Sequence, residues 1–336
     1  MNSYLSVRWI ILFSLTFVIN FFIPNTAQSQ STHVHDPVMI EENGTYYLFS
    51  TGRGISVQSS NNLEDWTREK PVFKNAPNWT TETHPNFRNH IWAPDIVEYN
   101  DTYYLYYSVS RFGTNNSAIG VATNKTLDPD APGFEWKDRG IVVRSVPGRD
   151  MWNAIDPNLT FDKKGNPWLT FGSYWLGIKT VQLQDNLTET APAFESWQTI
   201  ASRHRYWKLD ERDAGNSSNG DIEAPFIFKK DGYYYLFVSW DQCCSGKEST
   251  YKIVVGRSRN ITGPYRDRAN RKMTHGGGTL VAKGNEQWAA VGHNAAYTFD
   301  GTDYLVFHGY DNSDEGNAKL IIKEISWDDG WPTISL

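Results

Sequence analysis

Four carboxylic acids in this 336-residue chain stand in nearly the same local setting. They occur as His35-Asp36-Pro37, Ala93-Pro94-Asp95, Ile155-Asp156-Pro157-Asn158 and Ile222-Glu223-Ala224-Pro225, each in an apolar or proline-containing frame rather than a run of solvated charge. A single aspartate beside a proline is explained well enough as a turn cap. Four acids at matching places are harder to explain that way, because capping does not require each one to be acidic and burying unpaired carboxylates is costly. Such a set suits acid–base chemistry. Cleaving a glycosidic bond needs one protonated carboxyl to donate to the leaving oxygen and one ionised carboxylate to activate water or attack the sugar. A third acid nearby holds the donor's pKa up by like-charge repulsion. Glu223 has the longest reach of the set and is assigned as general acid, with Asp36 as general base and Asp156 as modulator and positioner.

Acids so far apart in sequence act together only if the fold gathers them, and an internal repeat supplies the means. The lead positions 36, 95, 156, 223 and 293 are separated by 59, 61, 67 and 70 residues. Each leads into a hairpin signal, namely Asn43-Gly44, Asn100-Asp101, Lys164-Gly165-Asn166, Asp231-Gly232 and Asp300-Gly301. An aromatic strand follows each signal, as in Tyr46-Tyr47-Leu48-Phe49 and Tyr233-Tyr234-Tyr235-Leu236-Phe237. Runs such as Ser117 to Ala122 and Tyr251 to Gly256 read as third strands, and Trp66, Trp136 and Trp197 lie where a fourth would start. Five units of four strands describe an all-β, five-bladed β-propeller, whose inner strands line one central channel. The lead residues then converge on one funnel. Trp92, Phe112, Asn153 and Ser173 are expected at its mouth, with aromatic faces stacking on sugar rings and amide or hydroxyl groups orienting them.

The formal charge is −6, from 38 acidic and 32 basic residues with no long basic block, so nucleic acid is an unsuitable partner. Aromatics form 15% of the chain, with 14 Trp and 18 Tyr, a supply that suits stacking on sugars as well as core packing. Arg8, the apolar run Trp9 to Ile23, Pro24 and the small residues around Ala27-Gln28-Ser29 read as an export signal over residues 1–29. The mature chain is then 30–336, secreted or periplasmic, and the apolar run is shorter than the roughly 20 residues that span a bilayer. The two cysteines, Cys243 and Cys244, are adjacent and form either a vicinal disulfide or two thiols. The polar stretch Glu211 to Gly220 reads as a surface loop before the acid's strand.

These segments resemble glycoside hydrolase family 43 and, within it, endo-1,5-α-L-arabinanases. The likeness rests on His35-Asp36-Pro37, Trp92-Ala93-Pro94-Asp95, Asn153 to Asn158, Phe171 to Trp175 and Ile222 to Pro225. It extends through Phe112 to Gly120, Cys243 to Gly246, Val255 to Ser258, Thr262 to Tyr265 and Trp327 to Pro332. The resemblance implies an inverting mechanism on arabinan, with Asp36, Asp156 and Glu223 as base, modulator and acid. It also implies a channel cation, usually calcium, held largely by water and by His293, although Ala290-Val291-Gly292-His293 departs from a Gly-Pro-Gly-His context. A channel histidine bonded without metal is the alternative. The three acids do not encode the sugar, so an exo-acting α-L-arabinofuranosidase, a β-xylosidase or an inactive carbohydrate-binding propeller stay open as readings.

Overall fold

Four of the five hairpins turn on two residues that both have positive φ, the backbone of a type I′ turn: Asn43-Gly44, Asn100-Asp101, Asp231-Gly232 and Asp300-Gly301. That turn matches the twist of the strands it joins, so each pair closes in register, as Val38↔Phe49 and Glu42↔Thr45 do in the first. The computed structural model describes residues 1, 32–192, 197–203 and 221–336. The chain divides into Met1–Gln30 and Ser31–Leu336, and the second unit is described below. The export signal, the start at Gln30 and the loop from Glu211 to Gly220 lie outside the described residues. None of the described helices is long and apolar enough to cross a membrane.

Five antiparallel sheets form the blades of a β-propeller. Blade I runs Val38–Glu42, Thr45–Ser50, Ser56–Ser60 and Thr67–Arg68 from the axis outward. Blade II runs His90–Glu98, Tyr103–Val109, Ser117–Asn124 and Lys137–Ser145, with the short Gly52–Arg53 added beside its inner strand. Blade III runs Asn158–Phe161, Pro167–Phe171, Ile178–Gln182 and Gln198–Ala201, and blade IV runs Ile222–Lys230, Tyr233–Trp240, Lys252–Ser258 and Thr279–Lys283. Trp66, Trp136 and Trp197 each directly precede an outer strand. The five inner strands touch in ring order, with blade V meeting blade I.

Blade V departs from the expected four consecutive strands. It has three, Trp288–Phe299, Thr302–Asp311 and Ala318–Glu324, and residues 32–34 supply the outer edge. His33 pairs with Lys319, Val34 N–H donates to Ala318 O at 3.2 Å and Leu320 N–H donates to Thr32 O at 2.9 Å. Residues 32–34 thus cover the edge of Ala318–Glu324 and tie blade V to the segment that leads into blade I. The C-terminal Ser326–Asp328 and Trp331–Thr333 hairpin instead clamps blade IV. Tyr235 Oη and Arg257 Nη1 both donate to Gly330 O, at 2.6 and 2.7 Å.

The apolar cores lie between neighbouring blades. One joins Tyr106 and Ile119 of blade II to Leu159 and Phe171 of blade III, and another joins Ile178 and Ile200 of blade III to Leu236 and Val254 of blade IV. Ser117–Asn124 is consequently buried at every position. A strand covered on both faces has no wet side, so the alternation of a half-exposed strand is absent there.

Candidate active site

Each inner strand begins with the same break. Asp36, Ala93, Asp156, Ala224 and His293 all have positive φ, between 42° and 59°. The first four precede a proline, which disfavours the right-handed helical region for the residue before it, and Asn294 takes the proline's place in blade V. Non-glycine residues held there cost about 1–3 kcal/mol each, and such positions cluster at functional sites. The ladders of blades II, IV and V shift register at this point, between Trp92 and Asp95, Glu223 and Phe226, and Gly292 and Ala295. Bulges of this kind re-aim side chains beside active sites.

The break corrects the register of the repeat. Asp36, Asp156 and His293 share one position, whereas Glu223 stands one residue before its blade's kinked residue and Asp95 two after. Asp95 therefore leaves the funnel. It is buried and accepts Leu159 N–H at 2.7 Å and Asn158 Nδ2–H at 3.3 Å, stitching blade II to blade III. Burial holds its pKa up, to about 7, against those hydrogen bonds. Asn158 Oδ1 in turn accepts Ile227 N–H of blade IV at 2.8 Å.

The kinked backbone is caught by the preceding blade. Ala93 N–H donates to Thr51 Oγ1 at 2.8 Å, Asp156 N–H to Ser108 Oγ at 3.0 Å, His293 N–H to Ser239 Oγ at 2.8 Å and Asp36 N–H to His308 Nδ1 at 3.2 Å. In blade IV the acceptor is an acid: Ala224 N–H donates to Asp156 Oδ2 at 3.1 Å. Asp156 thus holds the backbone next to Glu223. The sequence reading missed Thr51, Ser108, Ser239 and His308, although each stands one or two residues after the last aromatic residue of its run.

Asp36, Asp156, Glu223 and His293 share one cavity of about 1040 Å³ with Trp92, Phe112, Asn153 and Ser173. Its lining runs from Gln58 and Arg68 on blade I's outer strands to Tyr174 and Trp175, between the second and third strands of blade III, and Gln242 to Ser245, between the second and third strands of blade IV. Phe112 is 78% exposed at the rim. Asn153 and Ser173 are buried and already bonded: Ser117 Oγ donates to Asn153 Oδ1 at 2.6 Å, and Ser173 Oγ donates to Glu223 Oε2 at 2.7 Å. Ser173 therefore positions the acid in this arrangement, rather than offering a free hydroxyl. Tyr251 Oη holds the other oxygen, Oε1, at 2.7 Å.

The acids are tuned apart. Burial works against ionising Asp36, yet the charge of His293 and the hydrogen bonds of His293 and His35 outweigh it and hold this carboxyl well below its ordinary range. His35 Nδ1 lies 2.8 Å and His293 Nδ1 3.0 Å from Asp36 Oδ1, and Thr51 Oγ1 donates to Oδ2. Burial raises Asp156, with the charges of Glu223 and Asp36 adding to it against His293. Burial raises Glu223 as well, and the negative charge of Asp36 adds to this against Tyr251, Ser173 and His293. One carboxyl lowered beside two that are raised is the pairing of base and acid that hydrolysis requires.

The donor set also bears on a cation. His35, Asp36 and His308 place ligand atoms within 4.8 Å of one another, but both nitrogens of His35 and of His308 are engaged, with Asp36 or its backbone and with Tyr310 Oη. His293 differs: Nδ1 faces Asp36, and Nε2 has no hydrogen-bond partner among the described residues. Burial opposes charge on His293, but Asp36, Asp156 and Glu223 raise its pKa to about 9. The same negative field draws either a proton or a metal ion to that nitrogen, and binding a metal displaces the proton. The residues present fit a single-histidine site with water as the remaining ligands.

Comparison with known proteins agrees with this geometry. Residues 30–332 match the model of "Glycosyl hydrolases family 43". The chain belongs to this family. It is 49% identical over 307 residues, 91% of this chain and 87% of its relative, to the extracellular exo-α-(1→5)-L-arabinofuranosidase ArbA of Cellvibrio japonicus. It is 43% identical over 304 residues, 89% and 87% of the two chains, to the extracellular endo-α-(1→5)-L-arabinanase 1 of Bacillus subtilis. The structure of Cellvibrio cellulosa α-L-arabinanase with arabinohexaose superposes with a TM-score of 0.87 at 48% identity, covering 91% of this chain and 96% of that one. The family 43 chain described here is a glycoside hydrolase.

Proposed function

We propose that this family 43 hydrolase cleaves α-1,5-linked L-arabinofuranose chains of arabinan by inversion, acting within the chain, and is exported. The observation that carries the reading is the opposite tuning of Asp36 and Glu223 in one groove. Glu223 gives its proton to the glycosidic oxygen as the bond from that oxygen to the anomeric carbon breaks. Asp36 takes a proton from water on the opposite face, whose oxygen forms the new bond to that carbon. Asp156 holds the backbone beside the acid and, when ionised, raises its pKa by repulsion.

His293 Nε2 would hold the family's cation, calcium with water completing its shell, and such an ion supplies positive charge beside Asp36 and the sugar hydroxyls. Trp92 and Phe112 supply stacking faces. A cavity of about 1040 Å³ lined from all five blades has room for more than one sugar ring around the acids, which favours binding the middle of a chain, and the names of the relatives favour arabinan. The apolar run after Arg8 and the extracellular relatives support export.

Product profiling on linear arabinan tests the reading. Early release of mixed oligosaccharides is expected. A single short product from the outset would mean exo action, and no release from arabinan alongside xylose release from an aryl xyloside would overturn the substrate.

A further inference from the structure

The imidazole of His35 is the shortest nitrogen contact to the base, and a buried hydroxyl 3.0 Å behind it sets which nitrogen carries the proton. The logic starts at His308, which is fully buried. Its Nδ1 accepts the backbone N–H of Asp36, so its proton lies on Nε2, which faces Tyr310 Oη at 3.2 Å. Cys244 N–H also donates to Tyr310 Oη, at 2.8 Å. With donors crowding that oxygen, its own proton is left for His35 Nε2 at 3.0 Å. An imidazole that accepts at Nε2 donates at Nδ1, and Nδ1 is the atom 2.8 Å from Asp36 Oδ1. The rings of His35 and His308 stack at 4.0 Å, which fixes the plane in which this donor points. The disulfide between Cys243 and Cys244 restrains the backbone that presents the N–H to Tyr310.

We propose that Tyr310 is a positioning residue for the base: through His35 it fixes the tautomer and orientation of the donor that holds the Asp36 carboxylate toward the attacking water. Tyr310 is buried and does not line the groove, so it acts on the substrate only through the two histidines it bonds, and of these His35 is the one close to the Asp36 carboxylate, at 2.8 Å against 3.9 Å for His308. The inference rests on Asp36 being the base, and the test separates the two claims.

Kinetics on linear arabinan are measured for Tyr310→Phe, His35→Asn, His35→Ala, Asp36→Asn and the double variant His35→Asn/Tyr310→Phe, each checked by thermal melting. An asparagine amide can place a donor near the Nδ1 position and has no tautomer to set. Tyr310→Phe is expected to lower kcat roughly tenfold, the worth of one net hydrogen bond, with KM within about twofold. On the His35→Asn background the same change is expected to cost less than about twofold, because its route to Asp36 is gone. His35→Asn should keep roughly tenfold more kcat than His35→Ala, a comparison that decides the matter even if Tyr310→Phe folds poorly. Equal losses from Tyr310→Phe on both backgrounds, a loss confined to KM, or equal kcat in the two His35 variants would overturn the role of Tyr310. Full activity in Asp36→Asn would overturn the base assignment itself, whereas an inactive Asp36→Asn beside an unaffected Tyr310→Phe would overturn only the positioning role.

Discussion

At the scale of the residue, the pKa of one aspartate is held down by two histidines while burial raises those of its neighbours. This division predicts distinct failures. Glu223→Gln should lose arabinan hydrolysis by about 10²–10⁴-fold but partly spare an aryl arabinoside, whose leaving group needs little protonation. Asp36→Asn should fail on both, because water activation is needed for each, and rate assays on the two substrates check the pattern. The Asp36–His293 contact also predicts a pH window for stability. His293 is raised from 6.5 to about 9, so its contribution is complete below pH 6.5 and fades as pH rises through about 9. Asp36 is depressed from 3.8, so its contribution is present above pH 3.8 and lost as pH falls. Melting curves of the wild type and His293→Gln should therefore differ most between pH 3.8 and 6.5. Asp36, Asp156 and Glu223 were legible in the sequence because a carboxylate beside proline in an apolar frame is costly without a task. His35, His308 and Tyr310 were not legible as a group, since only closure of blade V onto blade I brings positions 308 and 310 beside 35.

At the scale of the element, the site depends on one blade's inner strand pressing on its neighbour. A Cβ at Gly292 would stand 1.9 Å from the Tyr251 ring, which holds Glu223 Oε1. An aromatic ring cannot yield as a flexible side chain does. Gly292→Ala is therefore expected to cost about 1–3 kcal/mol of stability, read by denaturant unfolding. It should also lower kcat on arabinan by displacing the Tyr251 hydroxyl. Turns and strands were legible because Asn-Gly, Asp-Gly and the tryptophans before outer strands act locally. The register of the lead residues was not. Its constant feature is the left-handed residue before proline, which is Ala in blades II and IV, and the acids there are displaced by two residues and by one.

At the scale of the whole molecule, the ring is closed by the segment just before the base. Thr32 and Val34 bond to blade V, Val34 is buried, and Asp36 follows two residues later. Ring closure and placement of the base are thus one event. Two net hydrogen bonds and one buried valine are worth roughly 3–5 kcal/mol. A chain starting at His35 should accordingly melt about 5–8 °C lower than one starting at Gln30 by calorimetry. The central claim is that base and acid act from opposite faces of the sugar with water between them. Proton NMR of the first-formed product on linear arabinan tests it most directly. Inversion turns the α-linkage into the β-anomer first, with the α-anomer growing only by mutarotation. An α-anomer formed first would mean a covalent intermediate on Asp36 and would contradict it.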